Sequence, residues 1–265
     1  MKILPNNFLD KLAQQLKKNN QLEKIGARLL KEHNLAPNFG VELEFYLSNV
    51  DITKLERITG LELKTEKGKG QFEVNLKTSG DLEFYAKYIS QTKTLIERIA
   101  ADLGGRADFS PKPFVDDYGN SMHMHISFAE LTKEQLDHFG EILCHFMLKT
   151  CLIFMPTVED YLRLDQRYMA PTHVSFGNNN RTVAVRLPDS LPKRLEHRIA
   201  SPLADPYLVM YTILNSILIG LESPAQIKPR AKIFGNAYDN QYQLTPLPRS
   251  IDEAKVKFDP EFFAR

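Results

Sequence analysis

Apolar and polar positions recur along this chain with two different periods, and each change of period marks an element. Between residues 7 and 33, Phe8, Leu12 and Leu16, then Leu22, Ile25, Leu29 and Leu30, recur at helical spacing among Lys, Gln and Glu. Helices are predicted there, and the Pro-containing stretch from Asn34 to Asn38 ends them. From residue 40 to 48 the period falls to two: Val41, Leu43 and Phe45 alternate with Glu42 and Glu44, as in a strand with one buried face. A connection through Thr53 to Gly60 leads to an acidic hairpin from Leu61 to Leu76, whose turn carries two glycines.

Helical spacing returns from Ser79 to Leu103, with Leu82, Tyr85, Ile89, Ile96 and Ile99 on the apolar side and Gly104-Gly105 as the stop. In DDYGNSMHMHISF, Asp116 to Phe128, a turn gives way to a strand that sets Met122, Met124 and Ile126 against His123 and His125. Thr132 to Ile153 is a further predicted helix, in which His138 and His145 stand seven apart and read as packed or solvated. Val183, Val185 and Leu187 interleave with polar positions on a predicted core strand. Pro202 to Leu221 is apolar on nearly every side, which predicts a buried helix. The remainder, from Ser223, holds five prolines and little periodicity, and no repeat of fixed period is present.

Composition changes this picture little. With 265 residues, 43% hydrophobic and 25% charged, the chain can bury a sizeable core and is not expected to be disordered. A formal charge of +1 gives no basic footprint, so nucleic acid is not an expected partner. Cys144 and Cys151 lie in an apolar segment and read as buried thiols of a reducing compartment. The first residues lack the apolar core of a signal peptide, and no stretch approaches transmembrane length, so a cytoplasmic protein without membrane partners is expected.

The candidate chemistry lies on the polar faces. Glu42 and Glu44 stand two apart on one strand face, and paired carboxylates repel unless a cation lies between them. His123 and His125 repeat the spacing, as do Glu196 and Arg198, while Glu66 and Glu73 bracket the hairpin turn. Strands converging such groups would build a site for a hard divalent cation, Mg²⁺ or Mn²⁺, rather than a thiolate zinc site.

On these residues the chain resembles the catalytic domain of glutamine synthetase, an ATP-dependent ligase family. The matching pieces are GVELEFYL at 40–47, EKGKGQFE at 66–73, FSPKPF at 109–114, SMHMHISF at 121–128, YMAP at 168–171, NNRTVAVRLP at 179–188, RLEHRIASPLADPYL at 194–208 and LPRSIDEA at 247–254. They run in family order over most of the chain. The resemblance implies an α+β fold: a curved, mainly antiparallel sheet with helices on its outer face. It divides the chain into an N-terminal helical segment at 1–39, a catalytic domain at 40–254 and a C-terminal tail at 255–265.

The resemblance also implies the site. Glu44, Glu66 and Glu73 would hold one ion, and Glu42, His123 and Glu196 a second. Arg181, Arg186 and Arg198 match catalytic arginines around the transferred phosphate, where planar guanidinium groups suit phosphate oxygens. His125, Ser127 and Arg194 fall near the nucleotide, and Tyr118, Gly119, Arg163 and Met169 on the substrate side. The implied reaction uses ATP to phosphorylate a small carboxylate, glutamate in the family, which an amine then converts to an amide.

The acceptor side departs from the family. Tyr118 replaces an asparagine associated with glutamate binding, and Ser121 replaces a glycine. Met169 stands where the family has a flap glutamate that takes a proton from ammonium, and a thioether is no base at neutral pH. Acidic neighbours Glu159, Asp160 and Asp165 are candidates to replace it. The family's smaller N-terminal β-rich domain, which completes a neighbouring subunit's site, is not expected in this chain; a homo-oligomer, or a second chain supplying that part, is compatible with the resemblance. Three readings remain: a ligase using an amine other than ammonium, a non-catalytic or regulatory Mg-ATP-binding relative, and a small-molecule kinase.

Overall fold

In the computed structural model, which describes residues 4, 5 and 7–264, the sheet grows outward from β1 (Pro37–Ser48). On one side β1 pairs antiparallel with β3 (Gln71–Ser79), which pairs with the short β2 (Leu63–Thr65) to complete the predicted hairpin. On the other side it pairs antiparallel with β5 (Met122–Phe128), and its last residues also take up β4 (Arg106–Asp108). Beyond β5 lie β8 (Leu195–His197), β7 (Val185–Leu187) and β6 (Phe176–Asn178), giving the order β2-β3-β1-β5-β8-β7-β6. Only β6 and β7 run parallel, so the eight-stranded sheet is mainly antiparallel as expected.

Register follows from the alternation in sequence. Val41 faces Leu76 and Met124, Leu43 faces Val74 and Met122, and Ile126 faces Leu195. One sheet face is thus a continuous apolar surface. α4 (Leu82–Asp102), α5 (Lys133–Phe154) and α6 (Pro206–Glu222) supply most of its cover. α6 has no polar face because it packs against α1 (Phe8–Lys18), α2 (Gln21–His33), α4 and α5. Asp205 caps its first turn, and the Tyr207 hydroxyl donates to Leu16 O and accepts from Leu22 N, tying α6 to the N-terminal helices.

One stretch differs from the sequence expectation. Residues 52–59, predicted as connection, form α3 (Ile52–Thr59), capped by Asp51 and stopped by Gly60 at φ 70°. Its apolar repeat is too short to show, since Leu55 alone is buried. After the aperiodic stretch that follows α6, α7 (Ile251–Lys257) starts at a Ser250 cap. Phe258 and Phe263 stack at 5.7 Å, with Phe8 and Phe146 closing the cluster through Phe258 and Phe262. Aromatic bulk in a few residues anchors this segment without any periodic signal.

Candidate active site

The sheet face opposite the apolar core carries the acidic groups, and register makes them neighbours. Glu44 on β1 pairs with Glu73 on β3, Glu42 with His123 on β5, and Glu196 on β8 with both His125 and Arg186. His123 stands at the centre. Its Nδ1 lies 3.5 Å from Glu42 Oε2, 3.7 Å from Glu196 Oε1 and 3.9 Å from Glu44 Oε1. Ligand atoms of Glu42, His123 and Glu196 all lie within 4.8 Å of one another. Oxygen donors with one imidazole suit Mg²⁺ or Mn²⁺, so the residues present fit the implied ions. Glu66, at the hairpin turn, lines the same pocket beside Glu44 and Glu73.

Electrostatics match such a cluster. Burial, together with the nearby Glu42, raises the Glu73 carboxyl to about 7, and burial with Glu66 raises that of Glu44. Burial also opposes ionisation of Glu42, but contacts to His123 and His125 hold its carboxyl well below the usual carboxylate range. Glu196 is likewise lowered: burial is outweighed by His123 and Arg198. Burial disfavours charge on His123, yet the surrounding carboxylates, Glu44 foremost, raise its pKa.

These directions fix a pH dependence for protein stripped of divalent ions. Glu73, Glu44 and His123 bind protons more tightly folded than unfolded, so their contribution to stability is full at low pH and lost as pH rises toward and past 7. Glu42 and Glu196 act in the opposite sense, but below their ordinary value of 4.5. Ions compete with the same protons, so the rise in Tm produced by saturating Mn²⁺ should be several degrees larger at pH 8 than at pH 5.5. A rise that is independent of pH would argue against carboxylate ligation.

Cations surround the cluster. Arg186 Nη1 donates to Glu196 Oε2 at 2.8 Å and Arg198 Nε to Glu196 Oε1 at 3.0 Å, while Arg198 Nη1 also donates to the carbonyl of Arg181. Arg181 and Arg198 line the pocket; Arg186 stands behind Glu196, with its other end on Asn179. Arg163 is buried, held by the carbonyls of Ile199 and Ala200 and by the Ser121 hydroxyl at 2.9 Å. The Ser121 that replaces the family glycine therefore engages an arginine of the pocket.

The nucleotide-side candidates line an adjoining cleft that shares Glu42 with the first pocket. Arg194 Nε donates to His125 Nδ1 at 3.1 Å, so a neutral His125 carries its proton on Nε2, which stands 3.1 Å from Glu42 Oε1. Ser127 lies farther along the same strand, its hydroxyl donating to Asn38 O. His197, whose side chain points to the apolar face, packs on Phe154 with ring centroids 4.2 Å apart, and burial lowers its pKa to about 3. It is a core residue.

The wall that holds the substrate-side candidates is aromatic. Tyr118 and Tyr168 meet edge to face at 5.3 Å, next to Gly119 and Met169. The acidic neighbours proposed to replace the flap base do not reach the pocket. Asp160 is fully buried and accepts from Thr157 N, Asp165 is engaged by Arg167 at 2.7 Å, and Glu159 is exposed. Sequence reading missed Lys67 and Gln71, both in the pocket wall. Gln71 ties the hairpin to the loop before β5, donating to Gly119 O and Asn120 Oδ1 at 3.1 Å each; its place between the hairpin glycines and Glu73 was the available signal. His138 pairs with Glu141 and His145 packs on Phe146, away from the site. Among the described residues, no helix is long and apolar enough to cross a membrane.

Comparison with known proteins is consistent with this geometry. The family model "Glutamine synthetase, catalytic domain" matches residues 50–264. β1 precedes that span and joins the site by pairing with β3 and β5 inside it. The chain is 30% identical to a glutamate–isopropylamine ligase of Pseudomonas sp over 235 residues, 81% of this chain and 50% of that protein. It is 30% identical to gamma-glutamylputrescine synthetase PuuA of Escherichia coli (strain K12) over 155 residues, 54% and 33% of the two chains. The solved structure of a GmaS/ADP complex superposes with a TM-score of 0.78 at 25% identity, covering 92% of this chain and 68% of that one. The chain thus spans half or less of the length of these curated relatives. On the strength of the matched span and of these relatives, the chain belongs to the glutamine synthetase family, as a representative of its catalytic domain.

Proposed function

We infer that this chain carries out ATP- and divalent-ion-dependent ligation of a carboxylate, glutamate by analogy with its relatives, to an amine other than ammonium. The observation that carries this reading is the convergence of Glu42, Glu44, Glu66, Glu73, Glu196 and His123 on one pocket that also contains Arg163, Arg181 and Arg198. Divalent ions held by those carboxylates would supply positive charge to phosphate oxygens. Arg181 and Arg198 would meet the transferred phosphoryl group, a reading supported by the bonds of Glu196 to Arg198 and Arg186, which hold both guanidinium groups. His125, Ser127 and Arg194 form the nucleotide side, and Arg163 with Tyr118 and Gly119 the carboxylate side. In the second half-reaction the amine nitrogen bonds to the acyl carbon, the carbon–oxygen bond to phosphate breaks, and the amine proton leaves to solvent or phosphate. Met169 and the two tyrosines make the amine end more apolar than a pocket closed by a carboxylate.

A second reading, a non-catalytic Mg-ATP-binding relative, is favoured by one observation: no carboxylate from 159, 160 or 165 lines the pocket. ADP release from ATP with Mg²⁺ or Mn²⁺, scanned over carboxylates and amines, separates the two. The ligase reading expects amine-dependent release that falls at least a hundredfold in Glu44→Gln, which keeps the shape of the side chain and removes its charge. Ion-dependent ATP binding without release supports the second reading, and release without amine supports a kinase.

A further inference from the structure

Lys67 lies in the EKGKGQFE hairpin between the ion-binding candidate Glu66 and the turn, and its side chain reaches across the pocket mouth to the flap. Its Nζ stands 3.3 Å from Met169 Sδ, a contact between residues 102 apart in sequence. A thioether is a weak acceptor and a poor partner for an ammonium. Among the described residues, no carboxylate stands within ion-pair distance of Lys67.

The other cations of the flap side are engaged. Lys112 lies 3.7 Å over the Tyr168 ring and donates to the carbonyl of Asp117, and Arg167 is held by Asp165. Of the pocket arginines, Arg198 is bonded to Glu196, and Arg163 to two carbonyls and Ser121, while Arg181, on the phosphate side, lines the pocket without an ion pair among the described residues. Among the described residues Lys67 thus makes no direct ion pair, on the wall that Tyr168 and Met169 share, although carboxylates line the floor of the same pocket.

We propose that Lys67 selects an acceptor amine that carries a carboxylate, an amino acid, by exchanging its thioether contact for an ion pair with that carboxylate. This rests on the ligase reading above. Lys67, which is exposed at the pocket mouth, would disfavour acceptors with a second positive charge, such as diamines, by like-charge repulsion. Simple alkylamines would bind through the tyrosines and Met169 alone. Lys67 is a specificity residue on this account and takes no part in phosphoryl transfer.

The test compares alanine with ethylamine, which differ only in the carboxylate, and putrescine as the dicationic probe. ADP release is measured at equal concentrations of the unprotonated amine, in the wild-type chain, Lys67→Ala and Lys67→Glu. The wild type is expected to favour alanine over ethylamine at least tenfold in kcat/KM, with putrescine least effective. Lys67→Ala should collapse the alanine-to-ethylamine ratio toward one, and Lys67→Glu should invert it and raise the rank of putrescine. High salt should narrow the wild-type ratio, which a steric role would not do. A wild-type ratio of one or less, or a ratio unmoved by Lys67→Glu, overturns the inference and leaves the ligase reading standing. Absence of release with every amine overturns both.

Discussion

Replacing Glu196 by glutamine is expected to abolish high-affinity divalent-ion binding and to destabilise the ion-free fold by about 3 kcal/mol or more. Its carboxylate is 2% exposed and bonds Arg186 at 2.8 Å and Arg198 at 3.0 Å, with His123 Nδ1 3.7 Å away. An amide of the same shape supplies one acceptor where there were two, turns a donor toward a guanidinium, and leaves two cations without their anion. Loss of one partner from a buried pair is costly because the remaining charge stays desolvated. The same substitution removes one of the three groups that converge within 4.8 Å. Two readouts follow: a lower urea midpoint in EDTA, and loss of the Tm rise expected of the wild type with Mn²⁺. Retention of that rise would take Glu196 out of the ion site, and an unchanged midpoint would show that the arginines are solvated in its absence.

Glu196 also illustrates what a strand sequence discloses. Period-two alternation assigns side chains to faces, so the separation of Glu42, Glu44, His123 and His125 from the apolar face was legible from local sequence. Burial of that polar face was not. All seven residues of β5 are buried, the histidines against carboxylates and the methionines against the core, so the histidines line a polar interior and are not exposed on a solvated sheet. Motif resemblance located residues across the chain, including the short β8, whose three-residue length gives little periodic signal, whereas β7 was marked by the interleaving of Val183, Val185 and Leu187.

Contacts that depend on register or on loop closure were not legible. Pairing of Glu44 with Glu73 needs the hairpin register, and that of Lys67 with Met169 needs the flap to fold back over the sheet. The expected rescue of the flap base by Glu159, Asp160 or Asp165 failed for a related reason. Proximity in a loop does not set direction, and the 3-10 turn at 159–163 sends Asp160 inward to Thr157 while Arg163 meets Ser121. Aromatic anchoring of the tail through Phe258, Phe262 and Phe263 belongs to the same class.

Met169→Glu restores a carboxylate at the flap and is expected to raise kcat/KM with ammonium, but the gain should depend on Lys67. A glutamate has nearly the reach of methionine, so the new carboxylate would meet the Lys67 ammonium that now contacts Met169 Sδ. An ion pair there lowers the carboxyl pKa and occupies the oxygen that should take the amine proton. The single variant should therefore gain about tenfold with ammonium, whereas Met169→Glu combined with Lys67→Met should gain about a hundredfold or more, the lower range of general-base catalysis. The two sites would then be non-additive, as residues in contact are. Kinetics with ammonium over pH 6 to 9 provide the check, because the single variant should also show the lower apparent pKa. Equal gains in the single and double variants would mean that Lys67 does not reach the new carboxylate. If neither variant uses ammonium while another amine is ligated, proton removal is not what the pocket lacks, and the aromatic wall of Tyr118 and Tyr168 sets the acceptor.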